Sequence, residues 1–273
     1  MSRRLHTVSA LFILSVLAIS ACTNNDRPAD NSNQTTRTDA PATLTYSTIA
    51  SYPHDTALYT QGLEINGGKL YESTGSGSYA GSFLLESDLK SGKSTRKIAL
   101  DKQYFGEGIT IMGDTVYQLT WQSKKAFAYR LSDFKLLAEY PLNHEGWGLS
   151  NNGTELIASD GTSKLYFYEP GTFRLLRTQS ITEAGNLTYN LNELEYANGY
   201  LYANQYQTPY VFRIDLGRGI VVGKANLTDL WNRAKSINPG SEVPNGIAFD
   251  SSSNHFFVTG KLWPEMYEVA FGN

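Results

Sequence analysis

From Thr43 onward the chain reads as short runs of alternating apolar and polar residues, cut every few positions by Gly, Asn, Asp or Ser. A period of two predicts half-buried β-strands, and the breakers predict tight turns. Only Leu227 to Ala234 hints at a helical period. The pattern also repeats. Five segments align: QGLEI from Gln61, EGITI from Glu107, WGLSN from Trp147, NELEY from Asn192 and NGIAF from Asn245. Each runs through a turn into a second strand: KLYEST, TVYQLT, ELIASD, YLYANQ and HFFVTG. Their first core residues, Leu70, Val116, Leu156, Leu201 and Phe256, lie 9, 9, 9, 9 and 11 residues past the anchors. A third strand brings an aromatic residue, Phe83, Phe127, Tyr166, Phe212 or Tyr267. A fourth strand follows in the first four units: TRKIAL, LLAEYPL, LLRTQSI and VVGKANL.

Four strands per unit, with anchors 46, 40, 45 and 53 residues apart, predict the blades of a β-propeller. The fifth unit runs out of chain before its fourth strand, which would leave an open sheet edge. The surplus strand Leu44 to Tyr52 is available to cover it. The expected fold class is therefore all-β: a five-bladed β-propeller over residues 44–273, closed by an N-terminal strand. A sandwich or barrel with coincidental repeats is the alternative, and the constant offset speaks against it. Asn226 to Pro244 is expected as a loop or short helix on one rim.

The first residues read as an address. Arg3 and Arg4 precede the apolar run Val8 to Ile19, then Ser20, Ala21 and Cys22. This is the layout of a secretory signal, and the run is too short to span a bilayer comfortably. Ile19-Ser20-Ala21-Cys22 is similar to the bacterial lipobox, in which the cysteine is lipidated and begins the mature chain. An ordinary signal peptide is the alternative; Cys22 being the sole cysteine favours the lipoprotein. Residues 1–21 are thus expected to be removed. Residues 22–43, rich in Asn, Asp, Thr and Pro, are expected to form a tether too polar to order itself. The protein is expected in a bacterial cell envelope, lipid-anchored. Thr23 rather than Asp after the cysteine favours the periplasmic side of the outer membrane.

Composition narrows the chemistry. In 273 residues, 23 Lys and Arg face 26 Asp and Glu, a formal charge of −3, so no basic face recruits nucleic acid. A single cysteine excludes an internal disulfide and multi-cysteine metal sites. His6, His54, His144 and His255 are scattered, with no i,i+4 pair, and give no signal for a metal. The run Gly75 to Gly81 is not GxGxxG, no GxSxG occurs, and a lone SDG turn at Ser159 says little about calcium. No metal and no cofactor are expected.

In a propeller the first strands line a central channel, so the anchors should meet in a ring. Gln61, Glu107, Trp147, Asn192 and Asn245 would place a carboxylate, three amides and an indole at one mouth. The second strands should end nearby, at Thr74-Gly75, Thr120-Trp121, Asp160-Gly161, Tyr206 and Lys261-Leu262-Trp263. An apolar pocket with a few polar groups is the usual description of a small-ligand site. The plainer reading has Glu107 capping turn amides and the tryptophans filling the channel.

HDTALYTQGLE (His54 to Glu64), YESTG (Tyr71 to Gly75), FGEGIT (Phe105 to Thr110), QLTW (Gln118 to Trp121) and EGWGL (Glu145 to Leu149) resemble the plant-type glutaminyl-peptide cyclotransferases. So do SDG (Ser159 to Gly161), LNELEY (Leu191 to Tyr196), NGIAFD (Asn245 to Asp250) and TGKLWP (Thr259 to Pro264). The resemblance covers residues 44–273. It implies a five-bladed propeller without a catalytic metal, acting on peptides or proteins with N-terminal glutamine. The implied reaction is cyclisation to pyroglutamate with release of ammonia. Glu107 matches the family's catalytic acid and would shuttle the proton. Phe105, Trp121 and Trp147 would fold the substrate side chain for attack. Gln61, Asn192 and Lys261 would bond its γ-carbonyl or the peptide backbone, and Tyr206 would complete the pocket.

Four positions depart from the family. Tyr59 stands where Phe is usual, Thr56 where Pro is, Tyr206 where Trp is common, and Pro209 where an acid often follows. The protein is expected to act as a monomer. The alternative function is a non-catalytic envelope lipoprotein that binds peptides or a partner through the same mouth. Glu107, Trp121, Asn192 and Lys261 standing together favour the enzyme.

Overall fold

The computed structural model describes residues 40–75 and 81–272. The expected signal peptide, Cys22 and most of the expected tether lie outside the described residues, as does the middle of the Gly75 to Gly81 run. The fold is all-β and propeller-like, with one helix. Two strands come first, β1 (Ala42–Thr43) and β2 (Tyr46–Pro53). One four-stranded sheet follows from β3 (Tyr59–Asn66), β4 (Lys69–Gly75), β5 (Phe83–Asp88) and β6 (Ser94–Ala99). A second comprises β7 (Gly106–Met112), β8 (Thr115–Thr120), β9 (Lys125–Arg130) and β10 (Leu136–Pro141). A third comprises β11 (Leu149–Asn151), β12 (Leu156–Ser159), β13 (Lys164–Tyr168) and β14 (Leu175–Ser180).

The next sheet is larger than the repeat predicts. A small hairpin, β15 (Thr182–Glu183) and β16 (Asn186–Leu187), precedes β17 (Leu191–Ala197), β18 (Tyr200–Gln205), β19 (Tyr210–Asp215) and β20 (Ile220–Asn226). β15 pairs with β20 at Ile220, and β1 runs parallel to β20 with Ala42 opposite Gly223 and Thr43 opposite Lys224, so the sheet has seven strands. Both additions cover the long outer edge of β20, which would otherwise expose unpaired backbone groups. Ala42 and Thr43, grouped with the tether on sequence, thus lie on a sheet. Helix α1 (Thr228–Ile237) occupies the insertion and buries Leu230 and Ala234. The last sheet holds β21 (Pro244–Asp250), β22 (His255–Gly260) and β23 (Glu265–Phe271), with β2 antiparallel to β23 from Tyr46 opposite Phe271 to Pro53 opposite Glu265.

The alternating apolar positions pack between consecutive sheets. Tyr71 and Leu84 meet Ile109, Val116 and Phe127. Leu119 and Ala126 meet Leu149 and Leu156. Phe167 meets Leu194 and Phe212, and Val211 meets Ile247 and Phe256. A fifth cluster brings Leu63 and Leu70 of the first sheet against Ala248, Phe257 and Met266 of the last. Each fully buried Leu or Phe is worth roughly 1.5–3 kcal/mol, so the seams between sheets carry the fold. Where the other anchors are followed by glycine, the Asn192 anchor is followed by Glu193. Its fully buried carboxylate accepts the Leu63 N–H at 3.2 Å and the Ile247 N–H at 2.8 Å, tying three sheets together.

Candidate active site

The anchors sit at irregularities of the inner strands. The register shifts between Thr60 and Gly62, between Gly106 and Ile109, between Leu191 and Leu194, and between Pro244 and Ile247. Bulges of this kind re-aim a side chain away from the ordinary alternation. Trp147 lies just ahead of β11. The ends of the second strands supply Trp121, Tyr206 and Lys261 directly after β8, β18 and β22.

These residues bound a cavity of about 380 Å³ lined by Tyr59, Gln61, Phe105, Glu107, Trp121, Trp147, Asn192, Tyr206, Glu242 and Lys261. Its floor is polar and buried: Gln61, Glu107, Asn192 and Lys261 are each no more than 5% exposed. Gln61 organises it. Its Oε1 accepts from Lys261 Nζ and, at 3.0 Å, from Asn245 Nδ2, while its Nε2 donates to Glu107 Oε1 at 3.3 Å. The Asn245 amide nitrogen can only donate, so the Gln61 oxygen must face it and the Gln61 nitrogen must face Glu107. Asn192 Oδ1 is buried and accepts no hydrogen bond from the described residues.

The walls are aromatic. Ring centroids are 6.4 Å apart for Tyr59 and Phe105, 5.6 Å for Phe105 and Trp121, and 5.5 Å for Trp147 and Tyr206, all edge to face. Glu145 joins the two tryptophans, accepting from Trp121 Nε1 at 2.7 Å and Trp147 Nε1 at 3.4 Å. Lys261 Nζ lies 4.2 Å from the Tyr59 ring centre and 6.0 Å from that of Tyr206, completing the collar with cation–π contacts. Two glycines make room for it. A Cβ on Gly75 would stand 2.2 Å from the Phe105 ring, and one on Gly161, where φ is +80°, would stand 2.7 Å from the Trp147 indole.

Burial dominates the electrostatics. It pushes the Glu107 carboxyl well above the usual carboxylate range; Lys261 opposes the shift and Glu145 adds to it. Burial lowers the Lys261 ammonium to about 8, against the pull of Glu107 and Glu242. Both members of this buried pair are thus held closer to neutrality than they would be in water.

The glutamine cyclotransferase family model matches residues 13–271. The chain belongs to the glutamine cyclotransferase family. It is 38% identical over 226 residues to a glutaminyl-peptide cyclotransferase of Arabidopsis thaliana, covering 81% of this chain and 69% of the plant protein. Among solved structures it resembles the glutaminyl cyclase of Myxococcus xanthus, with 34% identity and a TM-score of 0.78, covering 85% of this chain and 98% of that one.

As in the family motifs, Gln61, Phe105, Glu107, Trp121, Trp147, Asn192, Tyr206 and Lys261 all come together in one cavity. Of the residues expected at or beside the mouth, Asn245, Thr74, Gly75, Thr120, Asp160, Gly161, Leu262 and Trp263 do not line it. Trp263 is fully buried, with Nε1 donating to the Glu242 carbonyl at 2.9 Å. Asp160 is held in its own turn by Thr162 and Tyr166. Asn245 supports Gln61 from behind. Sequence reasoning assigned no role to Glu145 or Glu242. Glu145 carried a signal, since it belongs to the EGWGL motif; Glu242 lies in the non-repeating insertion and carried none.

Proposed function

We propose that this cavity cyclises N-terminal glutamine of peptides or proteins to pyroglutamate, releasing ammonia, with Glu107 moving the proton. One observation carries the reading: in a glutamine cyclotransferase, the single carboxylate on the cavity floor is buried and hydrogen-bonded by Gln61 beneath an aromatic collar. In the reaction the α-amine nitrogen bonds to the γ-carbonyl carbon while the bond from that carbon to the γ-nitrogen breaks. The amine loses a proton and the departing nitrogen gains one, so one carboxylate can serve both steps. A free α-amine has a pKa of about 7.7–8.0. A carboxyl raised well above the usual carboxylate range exchanges protons with such an amine at less cost than an ordinary carboxylate, which favours acid–base catalysis.

Phe105, Trp121, Trp147 and Tyr206 hold the flexible glutamine side chain curled for attack, a proximity effect. Lys261 and Asn192 offer polar contacts to the γ-carboxamide or the peptide backbone, Lys261 as a donor where the oxygen gains charge. Ammonia release from Gln-Ala and longer Gln-initiated peptides tests the reading. A folded protein that binds such peptides but releases no ammonia is a binding module instead.

We further read the five sheets as five blades, with β2 closing the ring as the outer strand of the last blade. The cyclic order of the seams and the β2–β23 register support this. The proposed organisation is a lipoprotein signal over residues 1–21, a lipidated Cys22 with its tether to residue 43, and a catalytic domain over 44–273. The anchor would hold the enzyme in a bacterial envelope, on the periplasmic side of the outer membrane. The enzyme is proposed to act as a monomer.

A further inference from the structure

Among the described residues the collar carries one exposed charged side chain, Glu242; Glu145, which bonds the two indoles, is only partly exposed. Glu242 lies between α1 and β21, and its main chain is locked to the turn that bears Lys261: its N–H donates to the Lys261 carbonyl at 2.9 Å, and Lys261 N–H donates to the Val243 carbonyl at 3.1 Å. Its carboxylate lines the cavity and accepts the Tyr59 hydroxyl at 2.9 Å. That bond exists because this chain has Tyr at 59, where the family usually has Phe. The other carboxyl and amino groups lining the cavity, Glu107 and Lys261, are buried on its floor. Among the described residues Glu242 has no ion-pair partner. A carboxylate is therefore fixed in place at the rim without an ion-pair contact, attracted only at longer range by Lys261 on the floor.

A substrate whose terminal glutamine reaches Glu107 must leave the cavity across this rim, so its next residues pass the collar. We propose that Glu242, positioned by Tyr59, is a specificity residue that favours a Lys or Arg within the first two residues after the N-terminal glutamine and disfavours Asp or Glu there. The proposal rests on the cyclotransferase reading and deepens it. A rim charge acts through solvent, so its effect is modest and sensitive to salt.

The test compares kcat/KM for the amides of Gln-Lys-Ala, Gln-Ala-Lys, Gln-Ala-Ala and Gln-Glu-Ala at about 10 mM and about 1 M ionic strength, where the screening length falls from about 30 Å to about 3 Å. At low salt the parent should prefer the better basic peptide to the acidic one by roughly three- to ten-fold, and the ratio should approach one at high salt. Glu242→Gln should abolish most of the low-salt preference and Glu242→Lys should invert it. Tyr59→Phe keeps the ring over Lys261 and should weaken the preference by freeing the carboxylate. A ratio that survives in Glu242→Gln, or that ignores salt in the parent, overturns the proposal. If Glu242→Gln does not fold, the parent's salt dependence and Tyr59→Phe decide by the same criteria. Turnover of Gln-Ala-Ala without discrimination overturns only the role of Glu242, whereas no turnover of any peptide overturns the active-site reading beneath it.

Discussion

The side-chain nitrogen of Gln61 donates to the Glu107 carboxylate at 3.3 Å, and that amide is held in this orientation from behind by Asn245 and Lys261. Glu107 is thus positioned by residues of other sheets, while its own burial raises its proton affinity. Fixing the carboxylate and tuning it are separate tasks, and they can be perturbed separately.

Glu107→Gln keeps the size of the side chain and can still bond Gln61, but it cannot carry a proton. General acid–base groups contribute about 10²–10⁴-fold, so kcat should fall at least about 100-fold, with KM within several-fold of the parent. Steady-state kinetics alongside a thermal melt would check this. A folded variant that turns over within about ten-fold of the parent assigns the proton transfer to another group.

Glu145→Gln removes a negative charge that adds to the elevation of Glu107 and leaves an acceptor for the two indoles. Glu107 should then ionise at lower pH. The acid limb of the kcat/KM profile should move to lower pH, as measured from about pH 4 upward. An unmoved or upward-moving limb contradicts the electrostatic role assigned to Glu145.

Gly161→Ala places a Cβ in the Trp147 indole and forces a residue with a Cβ to a φ of +80°. Strain of this kind costs of order 1–3 kcal/mol. The melting temperature should drop and KM should rise several-fold as the indole is displaced. Calorimetry and kinetics on one preparation would test both, and a variant equal to the parent in each would show that Trp147 does not need that surface.

At the other end of the inner strands, burial raises Glu64 to about 7, partly opposed by bonds from Thr110 and from the Ile111 backbone, and also holds Glu193 and Glu195 well above the carboxylate range. A carboxyl raised in the folded state contributes full stability below its unfolded value of 4.5 and loses it as pH rises through about 7. Glu64→Gln should therefore gain stability over the parent across that window, by about 1–3 kcal/mol at its upper end. Denaturant midpoints at pH 4 and pH 8 measure it; a variant less stable at pH 8 reverses the sign.

Cys22→Ser should release a folded, active protein into the soluble fraction, because residues 44–273 are proposed to supply the whole catalytic domain. Fractionation with an activity assay tests this. Tight membrane retention of the variant, or intact residues 1–21 on the parent, overturns the lipid anchor.

The repeat was legible in the chain because strand alternation and turn residues are local: the aligned anchors and the offset of nine residues in four units and eleven in the fifth located the inner and second strands, and with them Gln61, Glu107, Trp147 and Asn192. Only the tertiary structure decided what those residues face. The bulges at the anchors and the burial of Trp263 away from the mouth are not marked by the local alternation, and the covering of the β20 edge by β1 arises from contact between segments far apart in sequence. Glu242 is the sharpest case. It sits in an insertion with no repeat to mark it, and its place beside Tyr59, 183 residues away, exists only once the last sheet packs against the first. The elevation of Glu107 is of the same kind, since desolvation is a property of the surrounding fold and not of the residue type.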